Sequence, residues 1–218
     1  MNKIKAVIFD MDGLMFDTET AYSKVHNAMW KRRGKEFTKE IKMLFMGKRA
    51  EEVMEAILND HWRTDESVTD LLKEQDEELI KIYKQSVEKL KGLDNLLKHL
   101  NTNRLRKCIG TSSRRFLTDI LLRKHDLESE FEFIISGDII TKGKPDPEIY
   151  NTCIKKLGLN PKECLVLEDS LNGVKAANFA GCSVCAIPSE YTVHEDFSKA
   201  DLICESLADP KLLKYIFQ

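Results

Sequence analysis

Two textures alternate along the chain. Ile4–Phe9, Lys107–Ile109, Phe131–Ile135, Cys164–Leu167, Cys182–Ile187 and Leu202–Cys204 are short apolar runs, rich in β-branched or aromatic residues and ended by polar residues or glycine. Runs of this kind predict strands buried on both faces. Between the later runs, apolar positions recur at helical spacing. Phe116, Ile120 and Leu121 precede His125; Ile149, Cys153, Ile154 and Leu157 end at Gly158; Val174, Ala177 and Asn178 end at Gly181. Strand and helix alternating at this interval predict an α/β fold, a doubly wound parallel sheet with helices on both faces.

One gap breaks the rhythm. About ninety residues separate Phe9 from Lys107, too many for a single crossover, and their pattern is helical throughout. Val25, Ala28 and Met29 form a stripe that Gly34 stops, and Ile41, Leu44 and Phe45 form another before Gly47. Val53, Ala56 and Ile57 lead to Trp62, and Ser67-Val-Thr-Asp70 predicts the capped start of a longer helix through Leu71, Leu72, Leu79 and Tyr83. Leu93, Leu96, Leu97 and Leu100 read as the crossover helix that returns to the sheet. The expected organisation is a core of residues 1–16 and 88–218, with a helical cap, residues 17–87, inserted after the first strand.

Composition narrows the function classes. The 218 residues carry 34 Lys and Arg against 36 Asp and Glu, a net charge of −2, so no overall field favours a nucleic acid polymer or an anionic membrane. The apolar run Ala6–Phe9 is cut by Asp10 and is too short for a signal-peptide core or a bilayer span. The chain is therefore expected to be cytoplasmic and monomeric. Its six cysteines are expected to be reduced core residues. Cys182 and Cys185 form a C-x-x-C, but on a strand residues three apart face opposite sides, and no second pair or nearby histidine completes a metal set.

The candidate chemistry sits at strand ends. Asp10 and Asp12 follow the first strand, in Phe9-Asp10-Met11-Asp12-Gly13, where open α/β sheets bind ligands. Two uncompensated anions there would be costly, which favours a hard divalent cation such as Mg²⁺ between them; a helix cap beside a solvated Asp would give the same letters. The second strand runs into Gly110-Thr111-Ser112-Ser113 and a helix, placing hydroxyls and N–H groups where an anion, phosphate above all, can be held. Simple capping also accounts for those residues. Lys142-Gly-Lys-Pro-Asp-Pro147 holds Lys144 in a stretch restricted by Pro145, and the fourth strand ends in the second acidic pair, Glu168-Asp169. Four consecutive strand tips thus supply Asp/Asp, Thr, Lys and Glu/Asp.

Asp10-x-Asp12-Gly13-x-x-x-Asp17-Thr18-Glu19, the Thr111 loop, Lys144-Pro145-Asp146-Pro147 and Glu168-Asp169-Ser170-x-x-Gly173 together resemble the four motifs of the haloacid dehalogenase superfamily. The position and helical content of the cap resemble its β-phosphoglucomutase-like branch. The resemblance implies an Mg²⁺-dependent phosphomonoester hydrolase acting on a small phosphorylated metabolite, a sugar phosphate or nucleoside monophosphate. It implies that Asp10 is the nucleophile and forms an aspartyl-phosphate, and that Asp12 is the general acid and base. Thr111, Ser112 and Lys144 would bind the phosphate. Asp10, the Asp12 carbonyl, Asp169 and Glu168 would hold the metal. The second acidic pair argues against dehalogenation.

The cap would select the substrate. Gly47-Lys48-Arg49 matches the place where relatives present a loop with a basic residue; a solvated charged turn is the plainer alternative. Met43, Phe45 and Met46 read as cap packing rather than a substrate wall. His26, His61, His99, His125 and His194 have no ligand-like spacing and are expected at the surface or at helix ends. The alternative activity is that of a β-phosphoglucomutase. Mutases of the branch tend to carry a histidine shortly after the Asp-Thr pair, whereas Asp17-Thr-Glu-Thr-Ala-Tyr22 has none, and the later helix offers Lys73-Glu-Gln-Asp76 without an obvious lysine equivalent. Both departures favour hydrolysis, with a texture similar to phosphatases of pseudouridine 5′-phosphate or deoxysugar phosphates. A non-catalytic sensor of phosphorylated metabolites would be expected to lack Asp10 or Asp12.

Overall fold

The computed structural model describes residues 3–38, 41–42, 47–62 and 65–218. Their strands, β1 Ala6–Phe9, β2 Arg106–Gly110, β3 Ile134–Ile135, β4 Cys164–Glu168, β5 Ser183–Ala186 and β6 Leu202–Ile203, form one sheet in the order β3-β2-β1-β4-β5-β6. Every pairing is parallel, as alternation of strand and helix predicts. The helices are α1 Thr18–Arg32, α2 Ala50–Ala56 running into a π turn Ile57–His61, α3 Val68–Gln85, α4 Leu93–Thr102, α5 Arg115–Lys124, α6 Glu148–Leu157, α7 Leu171–Phe179 and α8 Pro210–Ile216.

The period of two along each strand divides the core between the two faces. Val7, Phe9, Leu165 and Leu167 join one buried cluster with Leu96 and Leu100 of α4, Leu121 of α5 and Leu212 of α8. Ala6, Ile8, Cys164 and Val166 join the other with Ile149 and Cys153 of α6 and Val174 of α7. The C-x-x-C pair is split by the same rule. Cys185 belongs to the first cluster and Cys182 to the second, and all six cysteines are free and buried.

Local signals place most element ends. Ser67 accepts from the Asp70 N–H at 3.1 Å and opens α3; Ser170 accepts from the Gly173 N–H at 3.1 Å and opens α7, both by side-chain capping. Where the chain leaves the sheet for α1 and where it returns to α4, the two segments lie side by side. Asp17 N–H donates to the Glu88 carbonyl at 3.1 Å and Leu90 N–H to the Met15 carbonyl at 2.8 Å. Among the described residues no helix is long and apolar enough to cross a membrane.

Three expectations need correction. In α5 the buried positions are Leu117, Thr118, Leu121 and Leu122, while Phe116 is 39% exposed; the buried arc is turned by one residue because α5 packs against α3 as well as joining the cluster that holds the β1 and β4 side chains. Ala28 faces outward, and the buried side of α1 runs through Ala21, Val25, His26, Met29 and Trp30. His26 is therefore no surface residue: the Trp30 indole donates to its Nδ1 at 3.3 Å and Phe37 stacks on it at 4.6 Å. Met43, Leu44, Phe45 and Met46, together with the His61 side chain, lie outside the described residues.

Burial, reinforced by the Lys42 charge, lowers the His26 pKa to about 4, so folding keeps the imidazole neutral. The unfolded chain takes up a proton near pH 6.5 that the folded chain refuses. Stability from this group is thus complete above pH 6.5 and lost as pH falls toward 4. We expect wild-type unfolding free energy, measured by urea titration, to fall between pH 7 and pH 4.5 by about 2–3 kcal/mol more than that of His26→Gln.

Candidate active site

Sheet register brings the acidic tips together. Phe9 pairs with Ile109 on one side and Leu167 on the other, so the next residues, Asp10, Gly110 and Glu168, stand abreast at the carboxyl edge. The Asp10 N–H donates to the Leu167 carbonyl at 3.0 Å, which carries the parallel ladder one residue past β1. The chain then turns through Gly13, at φ +70°. A Cβ there would stand 2.3 Å from Asp169 Oδ2, so both backbone and space require glycine.

Lys144 is buried between two carboxylates. Its Nζ donates to Asp10 Oδ1 and to Glu168 Oε1, each at 2.5 Å. The Tyr150 hydroxyl also donates to Glu168 Oε1, and the Ser170 hydroxyl and N–H reach Glu168 Oε2 at 3.1 and 3.3 Å. Burial alone would lower the Lys144 pKa, but Asp10 and Glu168 overturn it and hold the ammonium above the ordinary lysine value. The lysine is charged at every physiological pH.

Asp12 has separate partners. Its Oδ2 accepts from Ser113 Oγ at 2.7 Å and Thr111 Oγ1 at 3.1 Å, and the Tyr22 hydroxyl meets Ser113 Oγ at 3.2 Å. Burial raises the Asp12 pKa, opposed by hydrogen bonds from Ser113, Thr18 and Thr111. Burial likewise raises Asp10, against Lys144, and raises Asp169 with Asp10 and Glu168 adding repulsion.

A cavity of about 110 Å³ lies over Asp10, Asp12 and Asp169. Its walls combine Ser112, Ser113 and Arg114 with Tyr22, His26, Lys42, Gly47, Lys48 and Gln75. Thr111, Lys144 and Glu168 are buried behind the carboxylates. Of the loop expected to meet substrate, Gly47 and Lys48 reach the cavity. Arg49 instead donates to the Thr141 carbonyl at 2.9 Å and faces Glu51, tying the loop to the core. The Ser112 hydroxyl donates to the Gly47 carbonyl at 2.8 Å. Arg114, at the start of α5, pairs with Glu51 at 3.0 Å and with Asp76.

Ser113, Tyr22, Tyr150 and the ion pair of Lys42 with Glu19, at 2.7 Å, are parts of the site that the motif spacing did not single out. Ser113 lies within the quoted loop and, like Thr111, reaches Asp12. Tyr150 and Lys42 owe their roles to contacts distant in sequence, which no local pattern carries.

The donor set fits a hard divalent cation. Asp10, Glu168 and Asp169 each offer an oxygen within 4.8 Å of the others. Asp169 Oδ2 is buried without a hydrogen-bond partner among the described residues. One ammonium faces three carboxylates, and an oxygen-liganded ion would balance the excess.

The sequence matches the description "Haloacid dehalogenase-like hydrolase" over residues 7–187. The chain belongs to this family. Family relatives include a probable pseudouridine-5′-phosphatase of Drosophila melanogaster, 32% identical over 97% of this chain and 93% of that protein. A phosphorylated carbohydrates phosphatase of Thermotoga maritima is 32% identical over 82% of each chain. Among solved structures, CbbY from Rhodobacter sphaeroides in complex with phosphate superposes with a TM-score of 0.86 at 25% identity, covering 94% of this chain and 95% of the other.

Removing the central cation of this site leaves Asp10 and Glu168 buried against each other. We expect Lys144→Met to lower the unfolding free energy at pH 8 by about 3–5 kcal/mol. Protonation of the carboxylates should relieve part of that loss at pH 5, a difference read from urea unfolding at the two pH values.

Proposed function

We infer that this haloacid dehalogenase-family phosphatase hydrolyses small phosphorylated metabolites through an aspartyl-phosphate on Asp10, with Asp12 as acid and base and Mg²⁺ as cofactor. The observation that carries this reading is the meeting of Asp10, Asp12, Lys144 and Asp169 beneath one cavity, each carboxylate in a different electrostatic setting. Asp10, the Asp12 carbonyl, Asp169 and Glu168 are the residues that would hold the metal. When bound, Mg²⁺ would offset the carboxylates and stabilise charge on the phosphoryl oxygens.

In the first step an Asp10 oxygen attacks phosphorus, and the bond to the leaving oxygen breaks as the acyl phosphate forms. Asp12 donates its proton to that leaving alkoxide. Its raised pKa supports the protonated state, and Ser113 and Thr111 hold the group in place. In the second step Asp12 takes a proton from water, whose oxygen attacks phosphorus and releases inorganic phosphate and the Asp10 carboxylate. Lys144 fixes the orientation of Asp10 and offsets its charge, while Thr111 and the Ser112 N–H would hold phosphoryl oxygens.

Residues 17–87 act in this proposal as the cap. Contacts of Gly47 with Ser112 and of Glu51 and Asp76 with Arg114 support a closed arrangement, which excludes bulk water from the acyl phosphate. Lys48 lines the cavity, where it would meet the leaving group. Tyr22 follows Asp17-Thr18 in place of a histidine, which supports transfer to water over transfer to a second hydroxyl.

Asp10→Asn, and separately EDTA treatment, should each reduce p-nitrophenyl phosphate turnover by about a thousandfold or more. Near wild-type rates under either condition would overturn the mechanism. With β-glucose 1-phosphate and a trace of glucose 1,6-bisphosphate, inorganic phosphate should outpace glucose 6-phosphate; the reverse would identify a mutase.

A further inference from the structure

The cavity wall opposite the carboxylates contains a hydrogen-bond chain whose direction is set at one end. The Trp30 indole can only donate, and it donates to His26 Nδ1. A neutral imidazole with Nδ1 accepting carries its proton on Nε2. The Gln75 side chain faces His26, and its carbonyl oxygen is the group there that can accept from Nε2–H. The Gln75 amide nitrogen is left as the outward end. It is buried without a hydrogen-bond partner among the described residues, on a side chain that is 2% exposed and lines the cavity.

The next residue supplies the opposite polarity. Asp76 gives one oxygen to Arg114, while its Oδ1 is buried without a partner among the described residues in the same cavity wall. A donor and an acceptor thus stand at adjacent positions of α3. Phe37, Val53 and Leu117 supply apolar wall. Lys42 and Arg114 already face Glu19, Glu51 and Asp76, and a second anionic group on a ligand would meet the Asp76 carboxylate.

We propose that Gln75 and Asp76 select an uncharged leaving group bearing a neighbouring acceptor and donor, with Gln75 N–H bonding the acceptor and Asp76 Oδ1 receiving the donor hydrogen. The inference rests on the phosphatase reading of the same cavity and deepens it. Two compound classes present this pair: the vicinal hydroxyls of a sugar monophosphate and the C(=O)–N–H edge of a uracil-type nucleoside 5′-monophosphate.

Phosphate release is measured for wild type, Gln75→Leu and Gln75→Glu on four probes. Glucose 6-phosphate carries the diol and uridine 5′-monophosphate the imide edge; phenyl phosphate carries neither, and fructose 1,6-bisphosphate adds a second anion. Wild-type kcat/KM should favour one of the first two over both others by at least about tenfold, and the favoured probe identifies the source of the shared chemistry. Gln75→Leu should shrink the preference over phenyl phosphate by about tenfold or more. Gln75→Glu, which replaces the outward donor by an acceptor, should shrink it at least as far. Turnover of phenyl phosphate by either variant reports that it is folded. A wild-type preference for phenyl phosphate or the bisphosphate overturns the inference, as does an unchanged preference in a folded variant. Absence of phosphate release from every probe overturns the phosphatase reading and this inference with it.

Discussion

A single ammonium buried between two carboxylates organises the catalytic end of this molecule. Lys144 reaches Asp10 and Glu168 at equal distance, and an ionic arrangement withdrawn from water is tolerable only when its geometry and remaining hydrogen bonds are tightly specified. The specification comes from the fold. Parallel register sets Asp10 beside Glu168, Tyr150 and Ser170 satisfy the glutamate, and Gly173 leaves it room, since a Cβ there would lie 1.9 Å from the Glu168 carboxyl group. The charge balance is deliberately short. Asp169 adds a third carboxylate, and one ammonium does not balance all three.

The opposite wall follows a different logic. There Lys42 and Arg114 are paired with carboxylates, the imidazole is neutral, and Gln75 Nε2 and Asp76 Oδ1 are buried without a hydrogen-bond partner among the described residues. The floor therefore deals in full charges, where electrostatic stabilisation of a phosphoryl group is strongest. The wall deals in directional hydrogen bonds, which distinguish similar organic groups better than charge does.

Sequence alone carried the sheet and the strand tips because both depend on local rules. Alternation and turn residues announced β1, β2, β4 and β5, and register then brought Asp10, Thr111, Lys144 and Asp169 into one place. Residues 17–87 were legible only as helices. His26 illustrates the reason: it sits within one turn of Trp30, but its burial depends on Phe37 and on α3 crossing above it, and neither is encoded by spacing along α1. Phe116 shows the same limit in the core, since a helix packed on two neighbours buries an arc different from the one suggested by its largest residues. Gln75 and Asp76 read as ordinary polar positions of an amphipathic helix. Only the cavity distinguishes them from Glu77 or Glu78.

The paired segments at the base of the helical insertion have a topological consequence. Met15 and Leu90 lie one backbone hydrogen bond apart, so the intervening chain departs and returns through what is in effect a single point of the core. Excision there would need a splice no longer than a tight turn, leaving β1, α4 and β2 as an uninterrupted strand-helix-strand unit. The sheet places no demand on the length or architecture of what is inserted. Such a junction lets one sheet edge carry different insertions without re-registering its strands.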